Sequence, residues 1–237
     1  MTITVYWSPW AMIDRMTLMN LVMEPPKHVW KTLPAVDDRT PRINNYRACP
    51  ASTTHLKNTY VLSCPYSDRV DFSGDTFNPS FTATNNIWMS RNSSFENSYV
   101  IDCDFQWIFF ADQPLTMKVT PPYLHKTSVS STGYLTPGRF DIHRWFRPVS
   151  STFHLFPGET SLTMTEDEPL AYVEFDTEER VVLKQFELSQ EIFDIGSNGI
   201  KLKFEKPSLS LENLYGRFTN SNRPALLLKL IQDKVLE

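Results

Sequence analysis

Glycine is nearly missing from this sequence: 7 residues of 237, against 17 prolines. Loops that cradle phosphate depend on several glycines close together, because only glycine lets the backbone approach the anion without steric cost. No G-x-G-x-x-G and no Walker A pattern occurs, nor does G-x-S-x-G or H-E-x-x-H. These absences argue against the common nucleotide-binding loops, the nucleophile elbow and the zincin helix. Turns must instead rely on Pro, Asn, Asp and Ser. Cysteine is scarce too. Cys49, Cys64 and Cys103 are odd in number and form no C-x-x-C, which predicts reduced, buried thiols in a cytosolic setting. No stretch nears the ~18 apolar residues of a membrane span. The opening MTITVYWSPWAMIDRM lacks a basic segment followed by an apolar core, so no secretory signal is expected. There is no long run of one charge sign. The net charge of −4 argues against a protein that coats nucleic acid through bulk positive charge.

What is present is a core. Hydrophobic residues make up 41% and aromatics 13% of the chain, enough to fold rather than remain disordered. The period of the apolar residues is mostly two. ITVYW (residues 3–7), NTYVLSC (58–64), DRVDF (68–72), PLTMKVT (114–120), TSLTMT (160–165), LAYVEF (170–175) and VVLKQFEL (181–188) read as strands, with prolines and polar turns between them. The clearest alternation is in VIDCDFQWIFFAD: Ile101, Cys103, Phe105, Trp107 and Phe109 share one face, and Asp102, Asp104 and Gln106 the other, which predicts a half-buried strand with a solvated acidic face. SVSSTGY (128–134) reads as a flexible loop. Residues 14–23 suit a short helix that Pro25-Pro26 must end.

The fold class expected is mainly β: a single antiparallel barrel or sandwich with an irregular N-terminal arm and short C-terminal helices. Three segments follow, a strand and arm over 1–45, the β domain over 46–206 and a helical tail over 207–237. In the tail, Pro224 sits at a helix start, and Leu227, Leu230, Ile231 and Val235 form an apolar stripe. That stripe must be covered, by the protein's own body or by another subunit. We expect self-association or a protein partner through it.

The stretch GRFDIHRWFRPVSSTFHLFPGE (138–159) is the densest in chemistry-bearing residues. Arg139, His143, Arg144, Trp145 and Arg147 offer a cationic, aromatic binding face suited to an anion, a sugar, single-stranded nucleic acid or a protein partner. Read as a strand, RFDIHRWF turns Asp141, His143 and Trp145 one way and Ile142, Arg144 and Phe146 the other, so one patch needs a twist or bulge. His143, His154 and Glu159 are the alternative, a facial metal site of the kind two histidines and a carboxylate make on adjacent strands. No local H-x-H or H-x-D supports it, and no cofactor or metal is expected. A cysteine nucleophile would pair Cys49 or Cys64 with His55. Cys-Pro at a strand end more simply marks a buried thiol.

Taken in order, RACPASTTHLKNTYVLSCPYSDRVDFSG, LTMKVTPPYLHKT and RWFRPVSSTFHLFPGETSLTMTEDEPLAYVEF resemble an uncharacterised β-barrel family of tailed phages and some bacteria, through the Cys-Pro, the T-x-x-x-x-x-P-Y strand, the W-F-R-P connection and the E-P-L-A-Y-V-E-F strand. The resemblance spans about Tyr46 to Phe175, implies a compact barrel and brings no catalytic residues. GYLTPGRFD and DEPLAYVEF also look like the β-clip segments of the deoxyuridine triphosphatase and deoxycytidine triphosphate deaminase families, with Thr136 where those carry an aspartate and no R-S-S phosphate motif before it. The functional expectation is a non-catalytic, phage-type protein for assembly or partner binding, in the host cytoplasm or the virion. The alternatives are a cupin-type metal-dependent oxygenase and a degenerate β-clip nucleotide-processing protein.

Overall fold

The computed structural model describes residues 2–11, 23–35, 46–75, 80–83, 88–91, 98–103, 105–144, 146–149, 151–205 and 208–236. The helix expected over 14–23 lies almost wholly outside these residues, and so does Trp145.

The chain opens on β1 (Thr2–Trp10), followed by β2 (Lys27–His28), one helical turn α1 (Val29–Thr32), a 3-10 turn over Tyr46–Ala48 and α2 (Pro50–His55). Next come β3 (Thr59–Ser63), β4 (Asp68–Ser73), β5 (Ser80–Ala83), β6 (Trp88–Arg91), β7 (Val100–Cys103), β8 (Gln106–Ala111) and β9 (Thr116–Thr120). Beyond β9 lie α3 (Ser128–Thr132), β10 (Gly133–Leu135), β11 (Gly138–Asp141), β12 (Thr152–Leu155), β13 (Ser161–Met164), β14 (Pro169–Phe175) and β15 (Arg180–Gln185). The chain finishes with α4 (Gln190–Glu205), α5 (Leu211–Thr219) and α6 (Arg223–Gln232). Among the described residues no helix is long and apolar enough to cross a membrane.

The protein is mainly β, with several antiparallel sheets. The strand orders are β15-β1-β8, β10-β12-β7-β6, β11-β9-β14-β3-β2 and β13-β4-β5. Among the described residues only β1 with β15 pairs in parallel. Among the described residues no sheet closes on itself. The barrel expected from the sequence is therefore not formed, while a sandwich-like arrangement is compatible with these sheets. One apolar cluster runs from Ile3 on β1 to Ile231 on α6, with Trp7, Trp107, Phe105, Phe109, Phe110 and Phe153 at its centre.

Three local expectations change. The strand read over 101–109 is two strands in two sheets: β7 pairs with β6 and β12, whereas β8 pairs with β1. The odd positions are buried as expected, but so are Ile108 and Phe110, because β8 is covered on both faces. Asp102 is buried as well, not solvated. It accepts a hydrogen bond from Thr152 Oγ1 at 2.5 Å, across the β7–β12 pair, which satisfies a carboxylate that burial would otherwise penalise. Second, the loop expected over 128–134 is helical at its start. Thr127 and Ser130 form a capping box, each side chain bonding the other's backbone N–H. The helix ends at Gly133, where the backbone becomes extended and enters β10; a Cβ there would stand 2.3 Å from the His154 carbonyl oxygen, so the position takes glycine. Third, α4 occupies residues the sequence reading left within the β domain. The Ser189 carbonyl and hydroxyl accept from Phe193 and Ile192, opening its first turn.

The tail stripe is covered by the protein itself. Leu227 and Ile231 are fully buried in the common core, and Leu230 and Val235 pack against it. Beyond α6 the chain adds to β15: Val235 bridges Phe186, Leu236 N–H donates to the Gln185 carbonyl, and Glu187 N–H donates to the Lys234 carbonyl. The stripe therefore gives no reason to expect a second subunit.

Candidate functional site

The arginine- and histidine-rich stretch is not a strand pair. β11 stops at Asp141, and 142–144 form a turn that returns Ile142 to the core. β11 pairs with β9 and β12 with β7 and β10, so the two halves of the stretch belong to different sheets. Period-two alternation fails beyond Asp141 for that reason.

Each described residue of the expected binding face has an intramolecular role. Arg139 is exposed on β11 opposite Lys118, and both approach the Asp176 carboxylate, at 3.6 and 3.5 Å. His143 stacks on Phe110, with centroids 6.2 Å apart, and its Nδ1 lies 3.2 Å from the Ala111 carbonyl oxygen. Arg144 donates to Glu212 on α5 at 2.7 Å and lies over the ring of Tyr215 at 5.0 Å. That bond to Glu212 raises the pKa of its guanidinium. Burial lowers that of Arg147, partly offset by Tyr215. Phe110 meets Phe146 and Phe218 edge-on. The turn after β11 is the seat of helix α5, where Arg144 meets Glu212 and Tyr215 and the Phe110 ring meets Phe218 of its own chain.

The metal alternative does not assemble. His143 lies over Phe110, His154 stacks on Tyr134 from β12, and Glu159 sits in the turn after β12. Among the described residues no three His, Cys, Asp or Glu side chains are grouped to hold an ion. The cysteine alternative does not assemble either. Cys64 is buried as expected, donates to the Tyr66 carbonyl, and has its pKa pushed up to about 12 by burial. Cys49 is exposed, contrary to expectation, because Cys-Pro here begins helix α2 rather than ending a strand. Hydrogen bonds from the Ser52 and Ala51 backbone lower its pKa. His55 serves neither thiol.

Among the described residues an open site lies elsewhere, in the segment after β9. Pro121 and Pro122 have no N–H and fix φ, so β9 cannot continue. The chain turns back on itself, with Tyr123 N–H donating to the Pro121 carbonyl and His125 N–H to the Pro122 carbonyl. Thr127 then caps α3, which passes directly into β10. Between the proline turn and the α3–β10 corner is a cleft of about 200 Å³, walled by Pro121, Pro122, Tyr123, His125, Gly133 and Tyr134, with Val129, Leu135 and Leu170 as its apolar lining. Tyr134 is backed by His154, stacked at 5.5 Å and 9°, and by Phe156 at 5.9 Å. Tyr123 (50% exposed), Leu124 (39%) and Phe156 (41%) present large apolar surface at or beside the rim.

Polar groups fix the rim. Tyr123 Oη donates to Glu174 Oε1 at 3.2 Å, and Thr120 Oγ1 donates to the same oxygen at 3.0 Å. Since that donation uses the tyrosine's proton, His55 Nε2, 2.9 Å away, must donate to Tyr123 Oη. Burial, with the neighbouring Glu174 carboxylate, holds the pKa of Tyr123 well above the ordinary phenol value. His125 is fixed similarly. Its Nε2 faces the Thr32 carbonyl, so Nε2 carries the proton and Nδ1 accepts from Tyr172 Oη at 2.5 Å. Both histidines are committed to positioning tyrosines, and Tyr123 is a donor rather than a base. The arrangement offers shape and hydrogen bonds, and no activated nucleophile.

Compared with protein-family models and with curated proteins, the chain matches none. The sequence reading did not select this site. Its signal was the run PPYLH (121–125), where two prolines stop a strand and expose the aromatic and aliphatic residues that follow.

Proposed function

We propose that the protein is a non-catalytic binding protein, and that a protein partner docks at the cleft between the proline turn and β10. One observation carries this reading: the size of the cleft against the size of its rim. Pockets that enclose drug-sized ligands occupy about 300–1,000 Å³. This cleft, about 200 Å³, has room for a single bulky side chain. Yet Tyr123, Leu124 and Phe156 extend its apolar surface outward, as do the surroundings of an anchor pocket at a protein interface. A small pocket with a wide apolar margin suits one anchoring residue of a larger partner. The assembly or accessory role implied by the tailed-phage resemblance accords with such docking and forms part of the proposal.

A displayed random-peptide library selected on the immobilised protein tests the reading. Selection should enrich peptides with an aromatic or bulky aliphatic anchor, and these should lose binding to Tyr134→Ala and Tyr123→Ala proteins that keep the wild-type circular dichroism. Enrichment of peptides that bind wild type and both variants equally would place docking elsewhere and refute the proposal.

A further inference from the structure

Two neighbouring helices of the tail are held very differently. Helix α6 buries Leu227 and Ile231 in the common core. In α5 none of residues 212–219 is buried. Phe218 packs against the core while remaining partly exposed, and the Arg144–Glu212 ion pair stands in water, with the Glu212 side chain 76% exposed. Few buried contacts and a solvent-screened ion pair are the marks of a segment that opens locally while the rest of the molecule stays folded.

Gly216 weakens α5 further. It lies in the middle of the helix, and the nearest atom to a Cβ built there, outside the helix backbone, is Asn220 Nδ2 at 4.0 Å. Packing therefore does not call for glycine at this position. Nor does the backbone, since the glycines of positive φ are Gly74 and Gly158. Glycine inside a helix is less stable than alanine, so α5 carries the weaker residue where the stronger one fits.

The surface under α5 has a distinct chemistry. Phe110 and Phe146, both buried beneath the helix, meet edge-on as an apolar floor, and Arg144 and Arg147 lie at its margin. On this surface α5 sets Glu212 against Arg144, Tyr215 under the Arg144 guanidinium, and Phe218 against Phe110. The three residues are spaced by three and share one side of the helix. Each end of α5 is tied within a few residues to α4 or α6, so the helix can lift from its own seat but not reach the seat of another copy.

We infer that α5 is a reversible cover, and that the turn beneath it, once uncovered, takes an amphipathic helical segment of a partner protein carrying an acidic residue followed at three-residue intervals by two aromatic ones. Such a segment replaces α5 contact for contact, its apolar side in the groove as in other helix-in-groove complexes. This site is separate from the cleft, and the inference does not rest on docking there. A partner that binds only the uncovered state has an apparent affinity scaled down by the uncovered fraction.

The test uses full-length protein, with a labelled synthetic peptide of residues 208–222 as the probe and hydrogen exchange as the measure of opening. Amides of 214–219 should exchange about a hundredfold faster than those of 227–232 in α6, since the latter wait for a larger unfolding. Gly216→Ala should slow exchange in α5 about fivefold, the factor set by the glycine–alanine difference in helix propensity. It should weaken peptide binding by that same factor, because both readouts measure the uncovered fraction. Tyr215→Ala with Phe218→Ala, in a protein that keeps the wild-type circular dichroism, should strengthen peptide binding about tenfold. Adding Arg144→Glu to that protein should abolish binding, and a Glu212→Lys peptide should restore it. Exchange of α5 and α6 at one common rate would make α5 part of the core and overturn the cover. Exchange that slows in Gly216→Ala while the peptide binds no variant, or binds all equally, would leave no site beneath α5 and overturn the inference as well.

Discussion

The turn carrying Arg144 and Arg147 and the cleft beside Tyr134 use similar materials and end in opposite states. Each has stacked aromatics, a histidine over a ring and charged groups close by. At the turn every described side chain meets something from the same chain, and helix α5 occupies the surface. At the cleft the rings are held in place and the space between them is open. Density of arginine and aromatic residues along a sequence therefore marks a surface that binds something, and does not say whether the partner lies within the molecule. What separates the two regions is a helix: α5 returns to cover one, and among the described residues no helix covers the other.

The sharpest way to break this contrast is at Phe110, the floor of the filled region. It is fully buried and meets His143, Phe146 and Phe218. Phe110→Ala should cost about 3–5 kcal/mol, read as a lower urea midpoint, and should expose α5 to proteolysis. Tyr123→Ala, at the open region, should leave the midpoint within about 1 kcal/mol of wild type, since its ring is half exposed. Equal losses at both sites would show that the cleft is as much a part of the core as the seat.

A second, somewhat smaller effect concerns the tail. Ile231 is fully buried against the common core, and Ile231→Ala should cost about 2–4 kcal/mol. The loss should be the same at all protein concentrations, because the covering surface belongs to the same chain. A midpoint that rises with concentration in wild type, and loses that dependence in the variant, would mean that the stripe is covered by another molecule.

The legible and illegible parts of this protein follow the same division. Strands whose apolar residues alternate were readable, as in β4, where Val70 and Phe72 are buried between exposed Arg69 and Asp71. One helix start was readable from a single residue: Pro224 sits in the first turn of α6. Alternation failed at β8, where both faces are covered: Ile108 and Phe110 are as apolar as their odd-numbered neighbours, and Asp102, Asp104 and Gln106 carry the polar face straight across the junction of β7 and β8, so nothing in the sequence marks the break. Asp102 was misread for the converse reason: its partner, Thr152, is fifty residues away. The open site was hardest to see. Leu135 shows only a hydrophobic residue in a short strand until the prolines beside it are known.

A finer test of the seat is the Arg144–Glu212 ion pair. The Arg144 side chain is 28% exposed, whereas that of Glu212 is 76% exposed, so water screens the attraction. Glu212→Gln should cost no more than about 1 kcal/mol, and the difference from wild type should shrink in high salt. A much larger loss would mean that the ion pair, rather than the Phe110–Phe218 contact, holds α5 in place.

The smallest effect concerns His154, stacked on Tyr134, and is read by pH. Burial lowers the pKa of His154 below its ordinary 6.5, since protonation would put charge on a ring stacked against Tyr134. The unfolded chain then binds the proton more readily than the folded one. The stability that neutral His154 contributes is complete above about pH 6.5 and is lost as the pH falls through the lower, folded-state value. Other groups titrate in the same range, so the measurement is a difference: the denaturation midpoint of wild type minus that of His154→Phe, followed from pH 7.5 to pH 5. The difference should become less favourable to wild type on acidification, while the corresponding series for Arg139→Gln, on the exposed face of β11, stays flat. A His154 series that is flat as well would mean that the ring leaves Tyr134 when it charges, and that the cleft wall is softer than its stacking geometry implies.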